Sequence, residues 1–438
     1  MLYPGRMTVA DSHRAVEAVW RIESARVIAG LARMVHDIGL AEELAQDALV
    51  AALEEWPRKG VPNNPGAWLM LTAKHRAIDQ FRRRDTYERK LQEVGRDMEL
   101  RQERAEAELD DALDDHIGDD LLRLIFTVCH PVLPTEGRLA LALRLLGGLT
   151  TEEIARAFLV PEPTVGQRIF RAKRTLTDKK VMIDLPPPGE LPDRLASVLE
   201  IIYLIFNEGY AATAGDDWIR PSLCQEAMRL GRVLAGLMPA EPEAHGLLAL
   251  MEIQASRIPA RTAPDGAPIL LLDQDRSRWD RLLVRRGLAA LGRAEALGTL
   301  GPYSLQAAIA ACHARALTPE ATDWERMAAL YRLLAHVTPS PIVELNRAVA
   351  VGMAHGPARG LEIADSLQGE RALRGYAHLP AVRGDLLAKL GRAEEAAAEF
   401  GRAAELTRNE RERALFRARA TALLPAHDRH PDDPAASG

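Results

Sequence analysis

The chain has 438 residues and a formal net charge of −6, with 47% hydrophobic and 27% charged side chains. That length suits about three domains, each able to bury its own core. The mild negative balance excludes a protein coated uniformly for nucleic acid, so the distribution of charge carries the information. Aromatics make up 5% of the chain and alanine is abundant, which favours close-packed helices over sheets. The expected fold class is all-α, with two small helical domains followed by a larger one. Cys129, Cys224 and Cys312 lie far apart, build no disulfide framework and fit a reducing cytoplasm. Residues 1–20 hold no apolar core of signal-peptide type, and no run approaches the roughly 18 apolar residues of a membrane span. A cytoplasmic protein is expected.

Residues 13–90 read as the first helical domain. Leu44, Ala45, Ala48, Leu49, Ala52 and Leu53 share one helix face, and Glu42, Glu43, Gln46 and Asp47 fall elsewhere on the cylinder. Trp56-Pro57 is expected to end this helix, because proline cannot continue the ladder. A loop follows over 57–65, with Asn63 and Asn64. The next helix begins near Gly66 and runs to Arg82-Arg83-Arg84. Trp68, Leu71 and Ile78 form an apolar stripe that Phe81 extends, and Lys74, Arg76, Arg82, Arg83 and Arg84 supply a positive side. Such a surface suits a single strand whose bases turn outward into pockets, with the loop and His75 as pocket lining. Taken alone, it is a generic basic patch.

Residues 91–120 form an acidic linker. Twelve acidic side chains between 93 and 120 face only Arg96, Arg101 and Arg104. It reads either as a solvated spacer or as a tether that keeps two basic modules apart.

Residues 121–183 hold a helix-turn-helix. Thr150-Thr151-Glu152-Glu153 makes a capping-box-like start, and Ile154, Ala155 and Phe158 bury the first helix. Leu159-Val160-Pro161 makes the turn. In the second helix Val165, Ile169, Ala172 and Leu176 face inward, so Thr164, Gln167, Arg168, Arg171 and Arg174 project outward. Polar groups near the N-terminal half with flanking cations, Lys173 among them, are what a recognition helix needs. Gly166 costs the helix about 1 kcal/mol relative to alanine.

Residues 184–192, with three consecutive prolines, read as a stiff linker. Residues 193–425 carry only helical patterns, and the tail 426–438 is polar and Pro-rich. Segments beginning at Gly356 and Gly391 echo one another 35 residues apart, a period close to that of tetratricopeptide repeats, with a generic alanine-rich helical bundle as the alternative. In the strongest copy Leu386, Leu387, Leu390, Ala393, Ala396, Ala397 and Phe400 supply the packing.

At this point a family resemblance appears. Glu43-Leu44-Ala45-Gln46-Asp47-Ala48-Leu49, with Trp68-Leu69 through Ala77-Ile78-Asp79 to Arg82-Arg83, resembles region 2 of extracytoplasmic-function sigma factors. Glu153-Ile154-Ala155 through Thr164-Val165 to Arg168, and Phe170-Arg171-Ala172-Lys173, resemble region 4. The remainder resembles the subgroup with a tetratricopeptide-like C-terminal extension. Its suggestive segments are Phe206-Asn207-Glu208-Gly209-Tyr210, Asp273-Gln274-Asp275-Arg276-Ser277-Arg278-Trp279, Thr322-Asp323-Trp324 and Pro339-Ser340-Pro341.

The resemblance implies a sigma factor that binds core RNA polymerase and promoter DNA, with no cofactor and no catalytic residue. Glu43, Gln46, Asp47 and Leu49 would contact core polymerase. Asn63, Asn64, Trp68, Lys74, His75, Arg76, Asp79, Arg82 and Arg83 would open and read the −10 element. Thr164, Gln167, Arg168, Arg171, Lys173 and Arg174 would read the −35 element. Genes of the subgroup often neighbour small YCII-related proteins of the DGPF type, which implies such a protein as a partner of the C-terminal domain. The chain departs from the general pattern at His75, at Leu159 and at Pro163-Thr164-Val165-Gly166, which bears on the bases read.

Cys129-His130 has no second pair at zinc-site spacing, and no phosphate loop or nucleophile elbow accompanies the polar segments. Two other readings stand beside the sigma factor. One is a one-component regulator that binds duplex through residues 149–176 and senses a ligand or peptide in its C-terminal domain. The other is a helical-repeat adaptor with incidental basic helices.

Overall fold

Helices build the computed structural model, which describes residues 9–89, 109–158, 160–210, 219–264, 268–298, 300–407 and 409–423. Among these residues, pairing of strand type is limited to one isolated bridge, Thr262 with Pro268, so the chain is all-α. The side chains of Arg82 and Arg83, residues 90–108 of the acidic stretch and the tail after 423 lie outside the described residues. Two compact units divide between Leu204 and Ile205.

In the first unit α1 (Val9–Val35) packs against α2 (Ile38–Lys59) and α3 (Pro65–Arg89). His36 turns the chain with a φ of 54°, and Asp37 caps α2 by accepting from the Leu40 amide at 2.9 Å. Leu44, Ala45, Ala48 and Ala52 are buried as their spacing demands, while Leu49 and Leu53 are only half-buried. Contrary to expectation, α2 does not stop at Trp56-Pro57. It continues through Pro57 to Lys59, and Gly60 closes it at a φ of 86°. A proline in the last turn removes a single ladder bond close to where the ladder ends anyway.

The acidic stretch also differs from a plain linker, because α4 (Leu109–Val128) starts within it and packs on α1. Asp120 is buried there, 3.2 Å from Arg33 and 2.9 Å from Arg123. Helices α5 (Thr135–Leu145), α6 (Thr151–Phe158) and α7 (Glu162–Asp178) complete a small domain around Leu141, Ile154, Val165 and Ile169.

The proline run ends in a turn, where the Glu190 amide donates to the Pro187 carbonyl at 2.9 Å, and α8 (Leu191–Tyr210) follows at once. The first half of α8 belongs with the helix-turn-helix. Arg194 donates to the Phe126 carbonyl at 2.9 Å and Ser197 to the Cys129 carbonyl at 2.6 Å. Arg138 in turn reaches Ser197 at 2.5 Å and Glu200 at 3.1 Å. These bonds explain why the compact division falls beyond the prolines, inside α8. Cys129 is sealed in this packing, and burial pushes its thiol up to about 12. His130 is occupied in the adjoining turn, its Nδ1 accepting from the Val132 amide at 3.0 Å.

In the second unit α9 (Pro221–Leu237), α10 (Pro242–Ala255), α11 (Arg281–Leu297) and α12 (Pro302–Arg315) pack around α10. Then come α13 (Trp324–Val337), α14 (Pro341–His355), α15 (Pro357–Ser366), α16 (His378–Lys389), α17 (Ala393–Leu406) and α18 (Glu410–Leu423). From α12 on, each helix packs on the next in sequence. Several start with proline at the first helical position, where no ladder donor is lost. Leu386, Leu387, Ala396, Ala397 and Phe400 are buried between α16 and α17. Leu390 and Ala393 are not, because they flank the turn at Gly391, whose φ is 76°. Between α10 and α11 the purely helical expectation fails: residues 256–264 and 268–280 run irregularly through short 3-10 turns at Ile258–Ala260, Leu271–Asp273 and Arg276–Arg278.

Candidate nucleic-acid interface

The local chemistry of residues 148–178 sets the helix-turn-helix. Gly148, at a φ of 66°, turns the chain into it. The Glu153 amide donates to Thr150 Oγ1 at 3.1 Å and the Thr150 amide donates to Glu153 Oε2 at 2.8 Å, a reciprocal capping box. Ile154 and Ala155 are buried, whereas Phe158 is half-buried, and Leu159 lies outside the described residues. The Val160 amide returns to the Ala155 carbonyl at 3.1 Å, and α7 starts directly after Pro161.

Val165, Ile169, Ala172 and Leu176 form the buried face of α7, which leaves Gln167, Arg171 and Arg174 exposed and Thr164 and Arg168 half-exposed. Arg174 meets Asp178 at 3.4 Å on the open surface, a pair that solvent screens. Phe170 stands among these cations and is 64% exposed. Sequence reasoning placed it in the region 4 motif but gave it no role in the site, although the helical spacing from the inward Ile169 already turned it toward the outer face. An apolar group there can meet a thymine methyl.

Lys173 departs from its expected place on the DNA-reading face. Its ammonium pairs with the Glu42 carboxylate of α2. Glu42, placed by periodicity away from the buried face, is only 5% exposed. It also accepts from Arg144 Nε at 2.7 Å and from Gln46 Nε2 at 2.8 Å, while Arg144 donates to the Leu149 carbonyl at 3.1 Å. Burial alone raises the Glu42 carboxyl, but Lys173 and Arg144 outweigh it and hold the group below the usual carboxylate range. A second ion pair, Arg21 with Glu153 at 2.9 Å, links α1 to α6. The recognition helix therefore rests on the first helical domain, beside a cavity of about 550 Å³ lined by Asp37, Glu43, Phe170, Arg174 and Met182.

On α3 the buried seam is Leu69, Met70, Ala73 and Ala77. The Trp68, Leu71 and Ile78 stripe lies on a different face: Leu71 is 45% and Ile78 37% exposed, with exposed His75 between them. Trp68 is half-buried and sets its ring edge against Trp56 at 5.4 Å. Asn64 is engaged as the helix cap, accepting from the Ala67 amide at 3.1 Å, while Asn63 is exposed. Arg76 sits 3.6 Å from Asp47, so the two candidate surfaces share an ion pair. Lys74 is half-buried; burial, with Arg33 nearby, lowers its ammonium. Asp79 and Glu43 are exposed, and Gln46 is tied to Glu42.

Residues 21–87 match the family model for sigma-70 region 2, and residues 123–176 match that for sigma-70 region 4. The chain carries regions 2 and 4 of the sigma-70 family. Residues 194–295 match a family of unknown function, DUF6596. An uncharacterized protein of Rhizobium meliloti (strain 1021), R00370, is 45% identical over 395 residues, covering 90% of this chain and 92% of that protein. A probable ECF RNA polymerase sigma factor of Mycobacterium tuberculosis, SigI, is 25% identical over 177 residues, 40% of this chain and 59% of that one. Both regions of a sigma factor are thus present, in order, and with them the surfaces for core RNA polymerase and promoter DNA. No helix among the described residues is long and apolar enough to cross a membrane.

Gly166 in the region 4 recognition helix has no atom within 4 Å of where a Cβ would stand. Gly166→Ala is expected to stabilise the chain by about 1 kcal/mol, read by urea unfolding. A loss of stability would mean the position is more crowded than its surroundings indicate.

Proposed function

We propose that the chain is an extracytoplasmic-function-type sigma factor, cytoplasmic, that directs core RNA polymerase to promoters of two elements. Gln167, Arg168, Arg171 and Arg174 of α7 read the −35 element, helped by Thr164. The outward face of α3, with Trp68, Leu71, His75 and Ile78, receives unpaired bases of the −10 element, and Asn63, Arg76, Arg82 and Arg83 hold the strand. Glu43 and Asp47, with Leu49, dock on core polymerase. The observation that carries this reading is that outward stripe: exposed Leu71, His75 and Ile78 continue half-buried Trp68 beside Arg76, a surface that suits unstacked bases and that a pure duplex reader does not need.

Elements about 25 base pairs apart lie about 85 Å apart on B-form duplex, at a rise of roughly 3.4 Å per pair. The ion pair from Lys173 to Glu42 cannot persist across that span. Region 4 leaves region 2 when the chain engages polymerase and promoter, and Lys173 then becomes available to DNA. The second unit, whose sequential helix pairs suit a tetratricopeptide-like stack, tunes this activity by holding a regulator such as a YCII-related protein.

Permanganate probing of promoter DNA tests the reading. Thymines of the −10 region become reactive only when chain and core polymerase are both present. Trp68→Ala reduces that reactivity about fivefold or more, the equivalent of one lost stacking contact of roughly 1–3 kcal/mol. Reactivity unchanged in Trp68→Ala would remove the α3 stripe from strand opening.

A further inference from the structure

Two polar segments that promoter recognition leaves unused meet in the second unit: the one ending at Tyr210 and residues 273–279. Arg261 lies 3.7 Å from the centre of the Tyr210 ring. Arg257 lies 6.0 Å from the same ring and 5.7 Å from Trp279, and Arg276 lies 5.3 Å from Trp279. Three guanidinium groups therefore share two aromatic rings. Arg261 and Arg276 are only 5% and 4% exposed.

Arg257 and Arg276 bond to neutral oxygens. Arg257 donates to Gln254 Oε1 at 3.0 Å, and Arg276 donates to the carbonyls of His313 at 3.0 Å and Ala316 at 2.8 Å and to Thr322 Oγ1 at 3.1 Å. Among the described residues neither has a carboxylate within ion-pair distance, and Glu320 favours the Arg276 cation only from further away. Four further buried polar atoms in the cluster have no hydrogen-bond partner among the described residues: Arg257 Nε, Arg276 Nε, Trp279 Nε1 and Tyr210 Oη. Three of them are N–H groups, able only to donate.

Cations withdrawn from water are unfavourable unless an opposite charge meets them, and the rings relieve only part of that. The surplus is felt next door, where burial and then the charges of Arg257 and Arg276 press His313 down to about 3 and keep it neutral. A cavity of about 350 Å³ lies beyond Ala316, whose carbonyl accepts from Arg276, and is lined by Cys312, Arg315, Leu317, Asp323 and Arg326.

We propose that this cluster binds a small organic oxyanion, phosphate- or carboxylate-bearing, whose oxygens accept from Arg257, Arg276 and Trp279. The guanidinium fork suits such an oxygen pair, and the rings hold two forks in line. The site supplies the second unit with a chemical signal that region 2 and region 4 do not read.

The test uses the full chain, titrated with inorganic phosphate, glucose 6-phosphate or citrate, with sodium chloride at matched ionic strength as the control. Binding to the folded state alone raises the melting temperature saturably, and tryptophan fluorescence follows the same curve. A response to the two phosphates alone assigns a phosphate ligand, and a response to citrate alone assigns a carboxylate. Arg257→Met, or Arg276→Lys if the first does not fold, weakens the responding anion about tenfold or more. Without ligand, Arg257→Met melts no lower than the parent, because it removes repulsion. No saturable shift beyond chloride with any of the three anions overturns the proposal, as does a response left intact in both variants.

Discussion

Replacing Arg168 and Arg171 together by alanine lowers the affinity of the polymerase-bound chain for its upstream duplex about 30-fold or more. Each lost base contact of a recognition helix is worth on the order of 1–3 kcal/mol, and 2 kcal/mol is the smaller sum. Arg171 is exposed and Arg168 half-exposed, and neither supports the fold through the inward face of α7, so folding survives. Fluorescence anisotropy on a duplex selected from a random pool reads the change. Relaxed preference at the contacted positions separates base reading from phosphate contact, which weakens all sequences alike and mainly reduces the salt slope. Equal affinity of variant and parent would take these two residues off the reading face.

Glu42→Gln lowers the stability of the chain by about 3 kcal/mol, the low end of the roughly 3–5 kcal/mol seen when a buried pair loses one partner. Lys173 and Arg144 keep their charges but lose the carboxylate, and their partial exposure limits the damage. The same change frees region 4, so the chain without polymerase binds the upstream duplex more tightly than the parent. The pH dependence has a definite sign. A carboxyl held below its ordinary 4.5 in the folded chain contributes stability above that value and loses it as pH falls through the lower folded value. The stability gap between parent and Glu42→Gln therefore narrows as pH drops below 4.5. A gap constant through that range would show that Glu42 carries no such charge.

What the sequence revealed and what it hid follow the range of the interactions. The capping box of Thr150 and Glu153, and the inward series from Val165 to Leu176, depend on neighbours within a few turns, and periodicity exposes them. Glu42 escaped because Arg144 lies 102 residues away and Lys173 further still. Asp120 read as part of a solvated acidic run for the same reason, since Arg33 reaches it only once α1 and α4 have packed. Trp68, Leu71 and Ile78 were visible as a stripe, but the smaller seam of Ala73 and Ala77 fills the core and turns the stripe outward. In the second unit, Tyr210 and the 273–279 segment stood out as polar motifs. Their chemistry emerged only when the irregular chain between α10 and α11 brought Arg257, Arg261 and Arg276 to the same two rings.

Transcription in a purified system, with core RNA polymerase and fragmented genomic DNA from the source organism, addresses the central claim most directly. Sequencing of the run-off products is predicted to give transcripts from a small set of start sites sharing two spaced motifs, only when the full chain is added. Start sites no different from those of core polymerase alone, together with tight duplex binding by the chain on its own, would contradict a sigma factor and favour a regulator that works without this partnership.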